Sequence, residues 1–123
     1  MAAMSLTVLI VDDHARFREL ARTLLEAAGH NVVAEAGDAA SGLEAARTHR
    51  PQAVLLDVNL PDGDGFAVAS ALSAFDDPPR VVLTSSEDGD AYGSLVRASG
   101  ALSFVAKAEL AGAPLAELFD RAA

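Results

Sequence analysis

Five short apolar runs rich in Val, Ile and Leu recur along the chain, and stretches of helical period separate them. The runs have the length of strands and cover residues 7–11, 31–35, 53–57, 80–84 and 102–106. Strands that alternate with helices of about ten residues are joined by right-handed crossovers and form a parallel sheet. The pattern therefore predicts an α/β fold, with a five-stranded parallel sheet and helices on both faces.

The clearest helix is predicted in the first gap between strands. Its apolar residues recur at i, i+3, i+4, i+7, i+8 and i+11, namely Phe17, Leu20, Ala21, Leu24, Leu25 and Ala28. Gly29 follows as the stop signal. Further helices are predicted at about residues 39–49, 65–74, 90–99 and from about 114 to the end.

Length and composition favour one domain over residues 1–123. A hydrophobic content of 51% in 123 residues suits a single core, and no shift in composition marks a second domain. The 16 residues after Lys107 are enough for a fifth helix but not for an output domain. We therefore expect a single domain with no output domain in this chain.

The charge and the residue types exclude several function classes. Eighteen acidic residues against nine Lys plus Arg give a net charge of -9, so direct nucleic-acid binding is not expected. Cysteine is absent, which removes disulfides and thiolate chemistry and is compatible with the reducing cytoplasm. The N-terminus MAAMSLTVLIV lacks a positive leader and soon reaches two acids, so neither a signal peptide nor a membrane span is predicted.

Polar residues stand where the predicted strands end, which is where parallel α/β sheets bind ligands. These residues are Asp12 and Asp13 after the first strand, Asp57 at the end of the third, Thr84 at the end of the fourth and Lys107 after the fifth. Three carboxylates at one sheet edge repel each other unless a cation is present or a proton is shared. Oxygen ligands without His or Cys favour Mg2+, and Mn2+ also suits them.

The loop VLLDVNLPDGDGF, which begins at Val54, fits a reactive acid. Pro61, Gly63 and Gly65 let the chain leave the strand sharply without crowding Asp57. Asp57 is then a candidate nucleophile for in-line transfer of a phosphoryl group, whose charge a metal ion and Lys107 would neutralise. Thr84 would add a hydroxyl donor.

Four motifs resemble the receiver domain of bacterial two-component response regulators. They are VDDH at residues 11–14, LLDVNLPDGDGF at 55–66, VVLTSS at 81–86 and SFVAK at 103–107. The DDH opening and the stretch VVAEAGDAASGL resemble the class often joined to a helix-turn-helix output domain. The resemblance covers nearly the whole chain and implies a flavodoxin-like, doubly wound (βα)5 fold with strand order 2-1-3-4-5.

The resemblance also implies roles and partners. The implied roles are phosphoacceptor for Asp57; metal ligand for Asp12, Asp13, Asp57 and the backbone carbonyl of Asn59; switch residue for Thr84 and Phe104; and phosphate partner for Lys107. A sensor histidine kinase or phosphotransfer protein would supply the phosphoryl group, and a downstream output domain or protein would respond. The chain would catalyse only its own phosphorylation and dephosphorylation, as a monomer or a phosphorylation-dependent dimer.

One departure from the family pattern concerns the loop after Lys107. The family commonly has a cis proline there, but this chain has Ala108. A cis bond before a residue other than proline costs about 2.5–4 kcal/mol, so the bond is either trans or held under strain.

Other interpretations of the same residues stay open. A phosphatase-like enzyme would carry a second acid where Asn59 stands, a flavodoxin-like cofactor binder would not place VDDH at its phosphate loop, and a degenerate receiver would dock without phosphorylation. Asp13 alone could cap the helix that begins near Ala15. His14, His30 and His49 are interpreted as surface or capping residues.

Overall fold

The computed structural model of the chain describes residues 5–87 and 92–120, with a five-stranded parallel sheet at its centre. The sheet strands are β1 (Thr7–Val11), β2 (Asn31–Ala36), β3 (Ala53–Asp57), β6 (Arg80–Ser85) and β7 (Ser103–Ala106). Two-residue strands β4 (Asn59–Leu60) and β5 (Gly63–Asp64) form a separate antiparallel ribbon. The sheet order β2-β1-β3-β6-β7 equals 2-1-3-4-5 once the ribbon is left out, so the predicted flavodoxin-like topology is confirmed.

In the described part of the chain, four α-helices connect the strands: α1 (Ala15–Ala27), α2 (Ala39–His49), α3 (Gly65–Ser73) and α4 (Gly93–Ala98). The first three match their predictions closely. The fourth was predicted from residue 90, and residues 90 and 91 lie outside the described part of the chain. None of the helices within residues 5–87 and 92–120 is long and apolar enough to cross a membrane.

The end of the chain differs from its prediction. In place of a helix from about residue 114, the structure has 3-10 helices at Lys107–Gly112 and Leu115–Glu117, and residues 121–123 lie outside the described part. Pro114 separates the two short pieces and cannot donate a backbone hydrogen bond. Helical segments this short are marginal, and 3-10 geometry is common in them.

The sheet is buried on both faces. Val11 of β1 packs into the core that contains Leu72 of α3, whereas Ile10 packs into the opposite core with Leu25 of α1 and Phe119 near the C-terminus. Strands covered on both sides have no polar face, which is why these strands read as continuous apolar runs instead of alternating patterns.

The parallel register brings the predicted strand-end residues to one edge. Asp57 of β3 pairs with Thr84 of β6, and Thr84 in turn pairs with Val105 of β7. Val11, just before the two acids of the first loop, pairs with Leu56. The carboxyl ends of four adjacent strands therefore open onto a common site.

Candidate functional site

Two of the three acids at this edge are buried. Asp12 and Asp57 are almost inaccessible to solvent, as is Thr84, whereas Asp13 is exposed. The side chain of Lys107 reaches in from the end of β7 and is only 14% exposed. Burying carboxylates is costly unless they are paired, so the ionic contacts of these two acids decide how the site is stabilised.

Lys107 is the cation that pairs with both buried acids. Its Nζ lies 2.7 Å from Oδ2 of Asp12 and donates a hydrogen bond of 3.2 Å to Oδ2 of Asp57. The same ammonium lies 4.5 Å from the centre of the Phe17 ring, within the range of a cation–π contact. One positive charge thus bridges two negative ones.

The pKa of the Asp57 carboxyl remains raised in spite of this pairing. Burial raises the pKa of its carboxyl above the ordinary 3.8, and the neighbouring charge of Asp12 raises it further. The backbone N–H of Asn59, 3.2 Å from Oδ1, and the ammonium of Lys107 act in the opposite direction. Burial and the charge of Asp12 therefore outweigh these two contacts, and the pKa of the Asp57 carboxyl stays raised.

The donor set fits a divalent cation. Oδ2 of Asp12 is buried and has no hydrogen-bond partner, because its 2.7 Å approach to Lys107 is a charge contact outside hydrogen-bond geometry. One ligand atom from each of Asp12, Asp13, His14 and Asp57 lies within 4.8 Å of the others. Carboxylate oxygens of this kind are the ligands that Mg2+ and Mn2+ prefer.

The first acidic loop is held in place by its neighbours. The N–H of Asp12 continues the β-ladder to the carbonyl of Ala36 at 2.9 Å. The guanidinium of Arg18 donates to the carbonyl oxygen of Asp12 at 2.5 Å and to Glu35 at 3.1 Å. A charged hydrogen bond from α1 therefore orients the backbone that carries the acid.

Asp13 is not a helix cap. The N-cap residue of α1 is His14, whose side chain makes no capping hydrogen bond, and the acid that accepts from the His14 N–H, at 2.8 Å, is Asp12. The exposed carboxylate of Asp13 instead lies 3.1 Å from Nδ1 of His14. The capping interpretation of Asp13 is therefore wrong, and its side chain is available to the site.

Thr84 and Phe104 lie beside the site but turn away from it. The hydroxyl of Thr84 donates to the carbonyl of Val105 at 2.7 Å. Phe104 is partly buried, and its ring centre lies 5.8 Å from that of Tyr92, whose hydroxyl donates to Glu87 at 2.7 Å. The Thr84 hydroxyl is thus occupied by β7 and would have to change partner to reach a group on Asp57.

Comparison with known proteins identifies the family. The family described as "Response regulator receiver domain" matches residues 8–117. The chain belongs to this family. The matched range holds all four strand ends of the site.

Receiver domains of transcription regulators are among the relatives of this chain. "Probable transcriptional regulatory protein NarL" of Mycobacterium tuberculosis is 40% identical over 81% of this chain and 47% of its own length. "Virulence factors putative positive transcription regulator BvgA" of Bordetella pertussis is 35% identical over 83% of this chain and 49% of its own length. The solved receiver domain of the M. tuberculosis NarL has a TM-score of 0.85 and 34% identity, covering 94% of each chain. The chain spans about half the length of the curated relatives it matches.

In this receiver domain the structure gives other tasks to two acids of the β3 loop. Asp62 accepts hydrogen bonds from the N–H groups of Ala39 and Ala40, at 2.7 and 3.0 Å, and so caps α2 from outside. Asp64 caps α3 through the N–H of Ala67 at 2.8 Å. Of the three acids in this segment, Asp57 therefore belongs to the site, whereas Asp62 and Asp64 cap the N-termini of helices.

The histidine interpretations are only partly right. His49 is exposed at the end of α2, but His30 is buried, with Nδ1 accepting from the N–H of Leu6 and Nε2 lying 2.9 Å from the carbonyl of Leu115. His14 is exposed at the start of α1, as predicted, and its side chain also joins the acidic cluster. In the sequence, the position of His14 directly after the two acids of VDDH could have indicated this contact. Tyr92 carried no comparable signal, because its ring contacts, Phe66 and Phe104, are more than ten residues away in sequence.

Proposed function

We propose that Asp57 accepts a phosphoryl group and that the chain is a phosphorylation-dependent signalling switch. The observation that supports this most directly is the single cation, Lys107, placed between Asp57 and a second buried acid. Such an arrangement surrounds the buried Asp57 carboxylate, at the strand ends, with groups that stabilise an incoming phosphate.

In the reaction, an oxygen of the Asp57 carboxylate attacks phosphorus and forms a P–O bond as the bond to the leaving group breaks. The leaving group is an imidazole when the donor is a phosphohistidine of a sensor kinase or phosphotransfer protein, and acetate when it is acetyl phosphate. Lys107 keeps its contact with the carboxylate and neutralises charge on the transferred oxygens. Hydrolysis of the acyl phosphate later restores Asp57.

The reaction is proposed to depend on Mg2+, or on Mn2+ in its place. Asp12, Asp13 and Asp57, with the backbone carbonyl of Asn59, would hold the ion. When bound, it supplies charge neutralisation at the phosphoryl oxygens. Oδ2 of Asp12 supports this ligand set, since it is buried, already contacts the cation of Lys107 at 2.7 Å and has no hydrogen bond to give up to a metal ion.

Phosphorylation then changes the surface of the domain. The new group brings about -1.5 to -2 charges and three acceptor oxygens to the strand ends. Thr84 would exchange Val105 for a phosphoryl oxygen, and Phe104 would move into the space that this opens. A second copy of the chain or an output domain would read the altered surface.

The wider setting follows from the relatives. Because they are about twice as long and are named as transcription regulators, we propose that this receiver controls a DNA-binding output domain of the helix-turn-helix type. The proposed site of action is the cytoplasm, where kinases and phosphodonors of this kind are found. The domain itself would make no nucleic-acid contact, in keeping with its net charge of -9.

Intact-mass measurement after incubation with acetyl phosphate and Mg2+ tests the proposal. The expected result is one added phosphoryl group in the wild type, none in Asp57→Ala, and little when Mg2+ is removed with a chelator. Asp64→Ala is the matched control, because it removes an exposed acid of the same loop and should still be phosphorylated. An unchanged mass for the wild type, or a phosphoryl group that persists in Asp57→Ala, would contradict the assignment.

A further inference from the structure

His14 lies against the acidic cluster, and the proposed phosphoryl transfer does not use it. Its Nδ1 lies 3.2 Å from Oδ1 of Asp12 and 3.1 Å from Oδ1 of Asp13. The side chain is 67% exposed, so core packing does not force this position. The imidazole nitrogen faces the same space as the carboxylates that fit a divalent cation.

The spacing of these atoms is that of neighbouring ligands around one metal ion. An octahedral ion with bonds of about 2.1 Å holds adjacent ligand atoms about 3 Å apart. The two distances from His14 to the acids agree with this value. A second observation points to the same space, because the buried Oδ2 of Asp12 has no hydrogen bond there and is contacted instead by a cation, the Lys107 ammonium at 2.7 Å.

We propose that His14 is a further side-chain ligand of the metal site, and that it makes the site prefer divalent transition metals such as Co2+ and Ni2+ to Mg2+. Imidazole nitrogen binds these ions well, whereas Mg2+ strongly prefers oxygen. The inference rests on the metal site of the proposed function and adds one ligand and a metal preference to it. His14 would leave Mg2+ binding to the three acids.

Ligand competition inside the site strengthens this preference. Lys107 Nζ lies 3.5 Å from Nδ1 of His14 and 2.7 Å from Oδ2 of Asp12, so an entering ion must displace part of the ammonium's contacts. Displacing these contacts costs free energy. A transition-metal ion that binds the imidazole nitrogen offsets more of this cost than an ion that binds only the carboxylate oxygens. The more strongly imidazole-binding ion therefore has the advantage.

The test is calorimetric titration of the full chain with Co2+ and, separately, with Mg2+, without phosphodonor and in mildly alkaline buffer. The variants are His14→Ala and, as the matched control, His49→Ala, an exposed histidine remote from the site. We expect His14→Ala to weaken Co2+ binding at least about tenfold, since even groups behind metal ligands change affinity by about 10–100-fold. Mg2+ affinity should stay within about twofold in both variants, and the visible absorption of bound Co2+ should change only in His14→Ala.

Two results would overturn the inference. Equal weakening of Co2+ and Mg2+ in His14→Ala would mean that the imidazole only orders the acids. Unchanged Co2+ affinity and spectrum would mean that it only pairs with them. Either result, together with normal Mg2+-dependent phosphorylation of Asp57, would reject the ligand role and leave the proposed function intact. Absence of both Mg2+ binding and phosphorylation in the wild type would reject the two together.

Discussion

Lys107 is the single lysine of the chain, and the two acids beside it are buried. Its ammonium contacts one oxygen of each, 2.7 Å from Asp12 and 3.2 Å from Asp57. Removing one partner from a buried ionic group leaves the remaining charge uncompensated, and that loss exceeds what the pair itself contributes. The metal-free domain therefore depends on this residue for stability as well as for chemistry.

We expect Lys107→Met to lower the stability of the metal-free domain by about 3 kcal/mol, the lower end of the cost of breaking a buried ion pair. In a domain of this size that equals a fall in Tm of about 10 °C. Saturating Mg2+ should recover most of the loss, because a cation at the acids replaces the missing ammonium. Thermal melts with and without Mg2+ measure both effects.

Arg16→Met is the control for Lys107→Met, since it removes the same charge from an exposed position on α1. It should change Tm little and should not alter the response to Mg2+. A Lys107→Met protein as stable as the wild type without metal would show that the two acids are neutralised in another way.

At the scale of elements, the loop between β3 and α3 fixes the end of β3 through a close backbone contact. A Cβ added at Gly65 would overlap the carbonyl oxygen of Asp57 and lie 2.9 Å from the Cα of Val58. The N–H of Gly65 also donates to the carbonyl of Val58 at 2.7 Å. Helix α3 therefore begins directly against the strand end that carries the candidate phosphoacceptor.

Gly65→Ala should destabilise the domain by about 1–3 kcal/mol or more, the usual cost of overpacking. It should also slow phosphorylation by acetyl phosphate, because the added methyl group pushes on the backbone of Asp57. Gly63→Ala is the matched control, since a Cβ there would meet only Ala39 at an ordinary 3.8 Å. Denaturant unfolding and the mass assay separate the two variants. Equal behaviour of both would contradict the contact argument.

Asp62 links the same loop to α2 and makes the folding stability of the domain depend on pH. Hydrogen bonds from the N–H groups of Ala39 and Ala40 hold the pKa of its carboxyl below the ordinary 3.8. A lowered pKa in the folded state means that the ionised acid contributes stability above about the unfolded value. That contribution is lost as the pH falls through the lowered folded value.

Asp62→Ala should therefore lower Tm at neutral pH, and the difference from the wild type should shrink below the ordinary pKa of 3.8. Thermal melts across this range measure the trend. Asp76→Ala, which removes an exposed acid from the turn before β6, is the control for the loss of one negative charge. A Tm difference that does not depend on pH would mean that the Asp62 side chain acts by packing and not as a charged cap.

At the scale of the whole molecule, periodicity predicted the five-stranded sheet and three helices because both faces of the inner strands β1, β3 and β6 are buried and α1 has a clear apolar stripe. Because both residues stand at the ends of parallel strands, the sequence predicted that Asp57 and Thr84 lie at one edge of the sheet. The strand register confirms this. The 3-10 end of the chain was missed, since its packing depends on tertiary contacts such as that of Phe119 with His30. For the same reason, contacts between distant residues such as Tyr92 and Phe104 were invisible in sequence.

We propose that the coupling from the site to the surface runs through one hydrogen bond. Thr84 donates to Val105, next to Phe104, and the Phe104 ring contacts the ring of Tyr92, just before α4, at a tilt of 44°. A phosphoryl group on Asp57 would compete for the Thr84 hydroxyl, and the loss of its bond to β7 would free Phe104 and Tyr92 to repack. A shift of a few kcal/mol between two such arrangements is enough to change which state is populated.

Amide hydrogen exchange with and without beryllofluoride, a mimic of the acyl phosphate, measures this coupling. In the wild type we expect altered protection in α4 and in β7 around Phe104. Thr84→Val should bind the mimic but lose these distant changes, because it cannot exchange Val105 for the phosphoryl group. Thr23→Val, which removes a hydroxyl bonded to the carbonyl of Glu19 on α1, should respond like the wild type. Altered protection confined to α1 and α2 in the wild type, or a full response in Thr84→Val, would show that the signal leaves the site by another route.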